Sequence, residues 1–245
     1  MITWTDDIDV AARHLVLFDF DGTIADTKPT IVKTASRVLL DFGIDQQTIA
    51  TKVDGIIGPP FPEAFSLVFG VSTQEAEAIT QAYRAHYFTL GPEAWPLFEG
   101  MRELLGRLRA AGYLTAVASS KLQRAIDQGV DDNDLRGQFD AIVGKRPGVV
   151  DTKAEAIQAV MDYLSCTAEE TIMVGDRFHD VEGARVCGVP CIGVLFGDTG
   201  TREELEQAGA IVIVDTTDEL SRVLLGEARS PAYSQPHGPI SHLHR

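Results

Sequence analysis

The segment His14 to Asp26, HLVLFDFDGTIAD, restricts what this chain can fold into more than any other. Its apolar run, Leu15 to Phe18, is bounded by turn chemistry and reads as a short buried strand. Two carboxylates one residue apart, Asp19 and Asp21, follow it, ahead of Gly22 and Thr23. An unpaired carboxylate is costly in a low dielectric, so a buried strand that ends in acids has a task for them. Side chains alternate along an extended chain, which puts Asp19 and Asp21 on one face, and Gly22 allows a sharp turn directly after. Such a pair can hold a divalent cation or divide nucleophile and acid/base roles. Taken alone, a strand followed by an Asp-Gly turn is common. The rest of the chain decides between the two readings.

From the first strand to about residue 98 the pattern is almost wholly helical. Pro29 suits the first turn of a helix that ends near Phe42 and Gly43, with Ile31, Ala35, Val38, Leu39 and Phe42 on one stripe. Ser72 and Glu75 form a capping box before a second helix, and Gly55 to Phe65 is too rich in Gly and Pro for regular structure until its end. From residue 99 helices and strands alternate. Strands are expected at Tyr113 to Ser120, Phe139 to Gly144, Thr171 to Asp176, Val189 to Phe196 and Ala210 to Asp215. Helices are expected at Glu99 to Ala111 and Thr152 to Leu164. Alternation of this kind argues for an α/β fold, a parallel sheet covered on both faces. The division expected is a core of residues 1–26 and 97–226, a helical insertion of residues 27–96, and a tail, residues 227–245, rich in Pro, Ser and His and read as disordered. His237, His242 and His244 fall in that tail and read as solvated.

The chain has 245 residues, 44% of them apolar, enough to bury a sizeable core. Lys and Arg number 21 against 36 Asp and Glu, a net charge of −15. Such a surface disfavours nucleic-acid phosphates and anionic membranes as partners, while a small phosphorylated ligand can bind where cations and backbone N–H groups reverse the local field. The three cysteines, Cys166, Cys187 and Cys191, lack a CxxC pattern and read as reduced thiols of a cytoplasmic protein. No signal-peptide pattern and no apolar run of membrane-spanning length is visible.

Chemistry-bearing residues gather where the strands end. The first strand supplies Asp19 and Asp21. The second supplies Ser119 and Ser120, followed by Lys121. TIMVGD supplies Asp176, and Asp180 comes four residues later. A basic residue follows from the intervening segment, Lys145 or Lys153. Ligands of open parallel sheets sit at the carboxyl ends of the strands, so these groups should converge although 160 residues separate the first from the last. Asp19, Asp176 and a carbonyl near Asp21 are hard oxygen ligands suited to Mg2+. The Ser119 hydroxyl, backbone N–H groups and one lysine can hold phosphate oxygens, leaving Asp19 to attack phosphorus and Asp21 to protonate the leaving oxygen.

DFDGT at 19–23, a strand ending in Ser-Ser-Lys at 119–121, Lys153 and GDRFHD at 175–180 resemble the four motifs of the haloacid dehalogenase superfamily. The helical insertion resembles the C1 cap of its phosphoglycolate-phosphatase-like branch, and PLFEG at 96–100 resembles the segment by which that branch re-enters its core. The resemblance spans residues 14–225 and implies a Rossmann-like core with an inserted α-helical cap. By that resemblance Asp19 is the nucleophile that forms an aspartyl-phosphate, and Asp21 is the general acid/base. Ser119 and Lys153 bind phosphate, and Asp19, the Asp21 carbonyl and Asp176 hold Mg2+. Asp180 stands behind the metal or orients the lysine. An aspartate at 21 disfavours dehalogenase and phosphonatase chemistry, where a Tyr or Ala would be expected. Asp151 to Ile157 fits the family's D-x-x-K-A-E-x-I form better than Lys145-Arg146-Pro147 fits its Lys-Pro form, which favours Lys153.

Gly22, Thr23 and Ser120 are expected to contact substrate, as are Gly58 and Pro59 in the loop Ile57 to Phe61, where Gly admits close approach and the prolines stiffen the backbone. The cap cations Lys33, Arg37, Lys52 and Arg84 read first as solvated, and His179 as an exposed loop residue. The function expected is an Mg2+-dependent phosphatase acting on a small phosphorylated metabolite. A 5′-nucleotidase or a pyrophosphatase is the nearest alternative, then a phosphomutase. A receiver-like signalling domain or a non-catalytic phospho-ligand-binding protein is the rival from another class. The sequence leaves the oligomeric state open.

Overall fold

Strand β1 (Leu15–Phe18) lies inside a parallel sheet with β2 (Leu114–Leu122), β3 (Ala141–Lys145), β4 (Thr171–Gly175), β5 (Cys191–Val194) and β6 (Val212–Val214). The order is β3-β2-β1-β4-β5-β6, and every neighbouring pair is parallel. The computed structural model describes residues 9–226; Trp4, the residues 227–245 read as a tail and their three histidines lie outside the described residues.

Of the α-helices described between β1 and β2, four form an excursion away from the sheet: α1 (Lys28–Asp41), α2 (Gln46–Lys52), α3 (Glu63–Phe69) and α4 (Thr73–Tyr87). Six more interleave with the remaining strands or follow them: α5 (Met101–Ala110), α6 (Gln123–Asp132), α7 (Lys153–Leu164), α8 (Phe178–Val186), α9 (Arg202–Ala208) and α10 (Thr217–Leu225). The chain thus leaves β1 through a helical excursion, builds β2 and β3 on one side, and returns to place β4 on the other. The strand order reverses beside β1, and the carboxyl ends of β1, β2 and β4 flank the resulting crevice.

The pleat of β1 explains its unbroken apolar run. Val16 and Phe18 join one core with Leu104, Leu105 and Leu108 of α5, Ile126 of α6 and Leu220 of α10. Leu15 and Leu17 point the other way, into a second core with Ile157 and Val160 of α7, Val181 of α8 and Leu205 of α9. Both faces are covered, so alternation with polar residues is absent. The first core continues into the helical excursion, where Phe61, Phe65, Tyr83, Tyr87 and Trp95 form a chain of ring contacts ending on Phe20.

Local signals account for most helix starts. Ser72 and Glu75 satisfy each other's backbone N–H groups ahead of α4, and Thr152 and Glu155 do so ahead of α7. The stripe expected on α1 is realised by Ala35, Val38 and Leu39 but not by Phe42, which is 43% exposed as the helix ends. Phe42 is the capping residue beyond the last turn, so the helical period no longer sets its direction. Among the described residues no helix is long and apolar enough to cross a membrane.

Candidate active site

Asp19 continues directly from β1, and its backbone N–H donates to the Val174 carbonyl of β4 at 2.9 Å. Its carboxylate faces Lys153, the first residue of α7, whose Nζ also reaches Asp180 at 2.7 Å and donates to the Ala118 carbonyl at 3.1 Å. All three side chains are buried. The capping box at Thr152 explains how the lysine arrives: it holds the start of α7 against the strand ends, so the ammonium is delivered from a helix terminus rather than from a mobile loop. Lys145, the other candidate, lies at the end of β3 and lines a different cleft.

Asp176 follows β4 and is also buried. Its carboxylate accepts from the Thr23 hydroxyl at 3.3 Å and from the Thr199 hydroxyl. Carboxylate oxygens of Asp19, Asp176 and Asp180 lie within 4.8 Å of one another. Three buried acids therefore cluster beside one ammonium, which contacts Asp19 and Asp180. Burial pushes the Asp19 carboxyl up to about 6, against the pull of Lys153 and with Asp180 adding repulsion. Burial, with Asp180 and Asp19 nearby, raises Asp176 well above the usual carboxylate range. Lys153 shifts upward as well: the attraction of Asp180 and Asp19 outweighs the opposing effect of its burial. A hard, oxygen-only donor set with uncompensated negative charge fits a small divalent cation such as Mg2+.

Asp21 is set apart from this cluster. Its carboxylate is gripped by Lys121 Nζ at 2.8 and 2.9 Å and accepts from the Thr27 hydroxyl at 2.7 Å. The Lys121 ammonium in turn lies 5.3 Å from the ring centres of Tyr87 and Trp95 and 5.9 Å from that of Phe20. A cation among aromatic faces, paired with one carboxylate, is held in a single place. The two aspartates of the DxD pair thus occupy different electrical environments, one buried among like charges and the other paired and half-exposed. That difference suits a division between nucleophile and proton carrier.

The remaining expected residues divide. Ser119 is buried on β2 and its Oγ accepts from the Lys121 N–H at 3.2 Å, while Ser120 is exposed. Gly22 has φ +75°, and a Cβ there would strike the Asp176 carboxylate and the Thr199 hydroxyl. Thr23 is fully buried, and its hydroxyl donates to Asp176. Gly58 has φ +115° and packs against the Arg177 guanidinium, which donates to the Ile57 carbonyl at 3.1 Å and pairs with Glu204 at 2.9 Å. Pro59 is half-buried beside it. His179 is exposed as expected, yet it stands in the first turn of α8 rather than in a loop.

Lys121, Thr27, Thr199 and Arg177 join the site with no role assigned to them by the sequence. Lys121 carried a signal, since it directly follows the strand-end Ser-Ser pair. Arg177 lay inside GDRFHD. Thr27 and Thr199 carried none, because hydroxyls in turns are ordinary.

The sequence model of the haloacid dehalogenase-like hydrolase family matches residues 16–194. A 5′-nucleotidase of Pseudomonas aeruginosa is 33% identical over 199 residues, covering 80% of this chain and 89% of its own. A tyrosine-protein kinase of Mycobacterium tuberculosis, PtkA, is 33% identical over 216 residues, covering 86% of this chain and 72% of its own. Among solved structures, a predicted phosphatase from Clostridium acetobutylicum superposes with a TM-score of 0.79 at 33% identity, covering 87% of this chain and 99% of that one.

Proposed function

The chain belongs to the haloacid dehalogenase-like hydrolase family, and from that premise we propose that it is an Mg2+-dependent phosphatase acting on small phosphorylated metabolites through an aspartyl-phosphate at Asp19. The observation that carries the reading is the pair of unlike aspartates: Asp19 buried beside Lys153, Asp176 and Asp180, and Asp21 held apart by Lys121.

Asp19 and Asp176, with the Asp21 carbonyl, would hold Mg2+. When bound, the cation neutralises charge on the phosphoryl oxygens and on the attacking carboxylate. Ser119 and Lys153 bind phosphoryl oxygens, and Asp180 keeps the Lys153 ammonium in position. An Asp19 carboxylate oxygen forms the new bond to phosphorus as the bond to the leaving oxygen breaks, and Asp21 gives that oxygen its proton. Asp21, now ionised, takes a proton from the water that attacks the acyl-phosphate, which frees inorganic phosphate and restores Asp19. Phosphoryl transfer is mostly positioning and electrostatics, which is what this arrangement of fixed charges supplies.

We read residues 27–96 as a cap over this site, joined to the core at 24–28 and 90–99. The contact of Arg177 with Ile57 beside Gly58 supports that reading, since it ties the Asp176 turn to the loop before α3. The reading is tested by phosphate release from a panel of phosphomonoesters and pyrophosphate, with and without Mg2+. Turnover that needs Mg2+ and vanishes in Asp19→Asn is expected. Panel-wide inactivity of the wild type would direct attention to a mutase or a binding role instead.

A further inference from the structure

An open cleft of about 370 Å³ lies where α4 meets the ends of β2 and β3. It is lined by Arg84 and Phe88 from the cap side, Arg124 at the start of α6, and Lys145, Arg146 and Pro147 beyond β3. No lining residue is acidic, and among the described residues none of the four cations forms an ion pair. Arg124 stacks on the Phe88 ring, 4.5 Å from its centre. In a chain of net charge −15, four like charges left to face one another across a cleft raise the local potential sharply, and an anion relieves it.

The cleft is built on ordered backbone. Arg146 exchanges two backbone hydrogen bonds with Val150, at 2.8 and 2.9 Å, closing the turn that presents Lys145, Arg146 and Pro147. Gln123 fixes the end of β3 by accepting from the Gly144 N–H at 2.8 Å. The cleft is one residue along the chain from groups of the candidate active site. Leu122, in its wall, follows Lys121, which holds Asp21, and Phe88 follows Tyr87, whose ring faces the Lys121 ammonium. Two strand spacings, about 10 Å, separate β1 from β3, and Lys145 lies two residues beyond Val143, the β3 residue level with Ala118 and Asp19, which puts the two backbone positions about 12 Å apart.

We propose that this cleft is a second anion subsite for the substrate, and that the substrate class is organic phosphomonoesters carrying another phosphate about 10–12 Å from the scissile phosphorus. The proposal rests on the phosphatase reading and sharpens it. Pyrophosphate and phosphoglycolate, whose anionic groups are adjacent, cannot occupy both places at once. Sugar bisphosphates and nucleotides with a second phosphate can. Arg84 is singled out from the four cap cations by half-burial at the seam, whereas Lys33, Arg37 and Lys52 are exposed elsewhere on the excursion.

The test is calorimetric binding of glucose 1,6-bisphosphate and glucose 6-phosphate, with Mg2+, to full-length Asp19→Asn, which does not turn over. The bisphosphate should bind about tenfold tighter or better, the worth of charge-assisted contacts to one extra phosphate. Adding Arg84→Gln with Arg146→Gln should bring that ratio close to one, and Arg84→Lys with Arg146→Lys should restore most of it. Equal affinity for the two ligands, or a loss shared equally by both in the glutamine pair, would overturn the subsite. Failure of the phosphatase reading has a separate signature: the preference would persist in binding while the wild type released no phosphate from either ligand.

Discussion

Lys153 holds two buried carboxylates, Asp19 and Asp180, so its loss should cost stability before chemistry is considered. Lys153→Met strands both acids in the interior, and urea unfolding should report a loss of about 3–5 kcal/mol, the cost of breaking a buried pair from one side. Asp180→Asn removes one of the repelling charges along with one partner of the lysine, and should cost less than the lysine variant in the same assay. Lys121→Met acts differently. Its ammonium, set among three aromatic rings, holds the Asp21 carboxylate, so under the acid/base role proposed for Asp21 kcat should fall by about a hundredfold, the lower end of what a positioned acid/base group contributes. These roles were unevenly legible. The DxD pair and Asp176 were visible because acids at strand ends are rare without a task, and Asp180, in the first turn of α8, by its place in GDRFHD, whereas Lys121 needed the structure: nothing in its spacing says that Tyr87 and Trp95 come to surround it.

The elements were more legible than the contacts between them. Capping boxes at Ser72 and Thr152 and the apolar runs of β1 and β4 are local signals, and local chemistry decides where such elements begin. Strand ends moved by a few residues because ladder hydrogen bonds, not apolar runs, delimit a strand. The strand expected at Val189 to Phe196 is hydrogen-bonded as β5 only over Cys191–Val194. The packing of the loop before α3 against the core was invisible to sequence, because it depends on Arg177 reaching the Ile57 carbonyl from across the fold. The turn after β1 is the element most sensitive to a single change. Gly22→Ala imposes left-handed backbone on a residue with a side chain and drives its Cβ into the Asp176 carboxylate. The backbone cost alone is about 1–2 kcal/mol, and differential scanning calorimetry should show a loss larger than that.

For the whole molecule, the acid cluster links stability to pH and to cations. Asp19 titrates near 6 in the folded protein, above the ordinary carboxylate value. Below about pH 4 both the folded and the unfolded states hold the proton; between about 4 and 6 only the folded state does. Stability of the metal-free protein should therefore fall as pH rises through that window, on the order of 3 kcal/mol for Asp19 alone. A divalent cation competes with that proton, so Mg2+ should raise the Tm more at about pH 7 than at about pH 4.5. The central claim is that Asp19 carries the phosphoryl group, and its most direct measurement is chemical trapping of the intermediate. By the proposed roles Asp21→Asn slows release of phosphate from the acyl-phosphate, while a p-nitrophenolate leaving group needs no proton to depart; a reaction of that variant with p-nitrophenyl phosphate and Mg2+, quenched in acid and reduced with labelled borohydride, should therefore accumulate label. Peptide mapping is expected to find the label at residue 19, as homoserine. Label at another residue, or none from a protein whose wild type turns over the same substrate, would contradict the account.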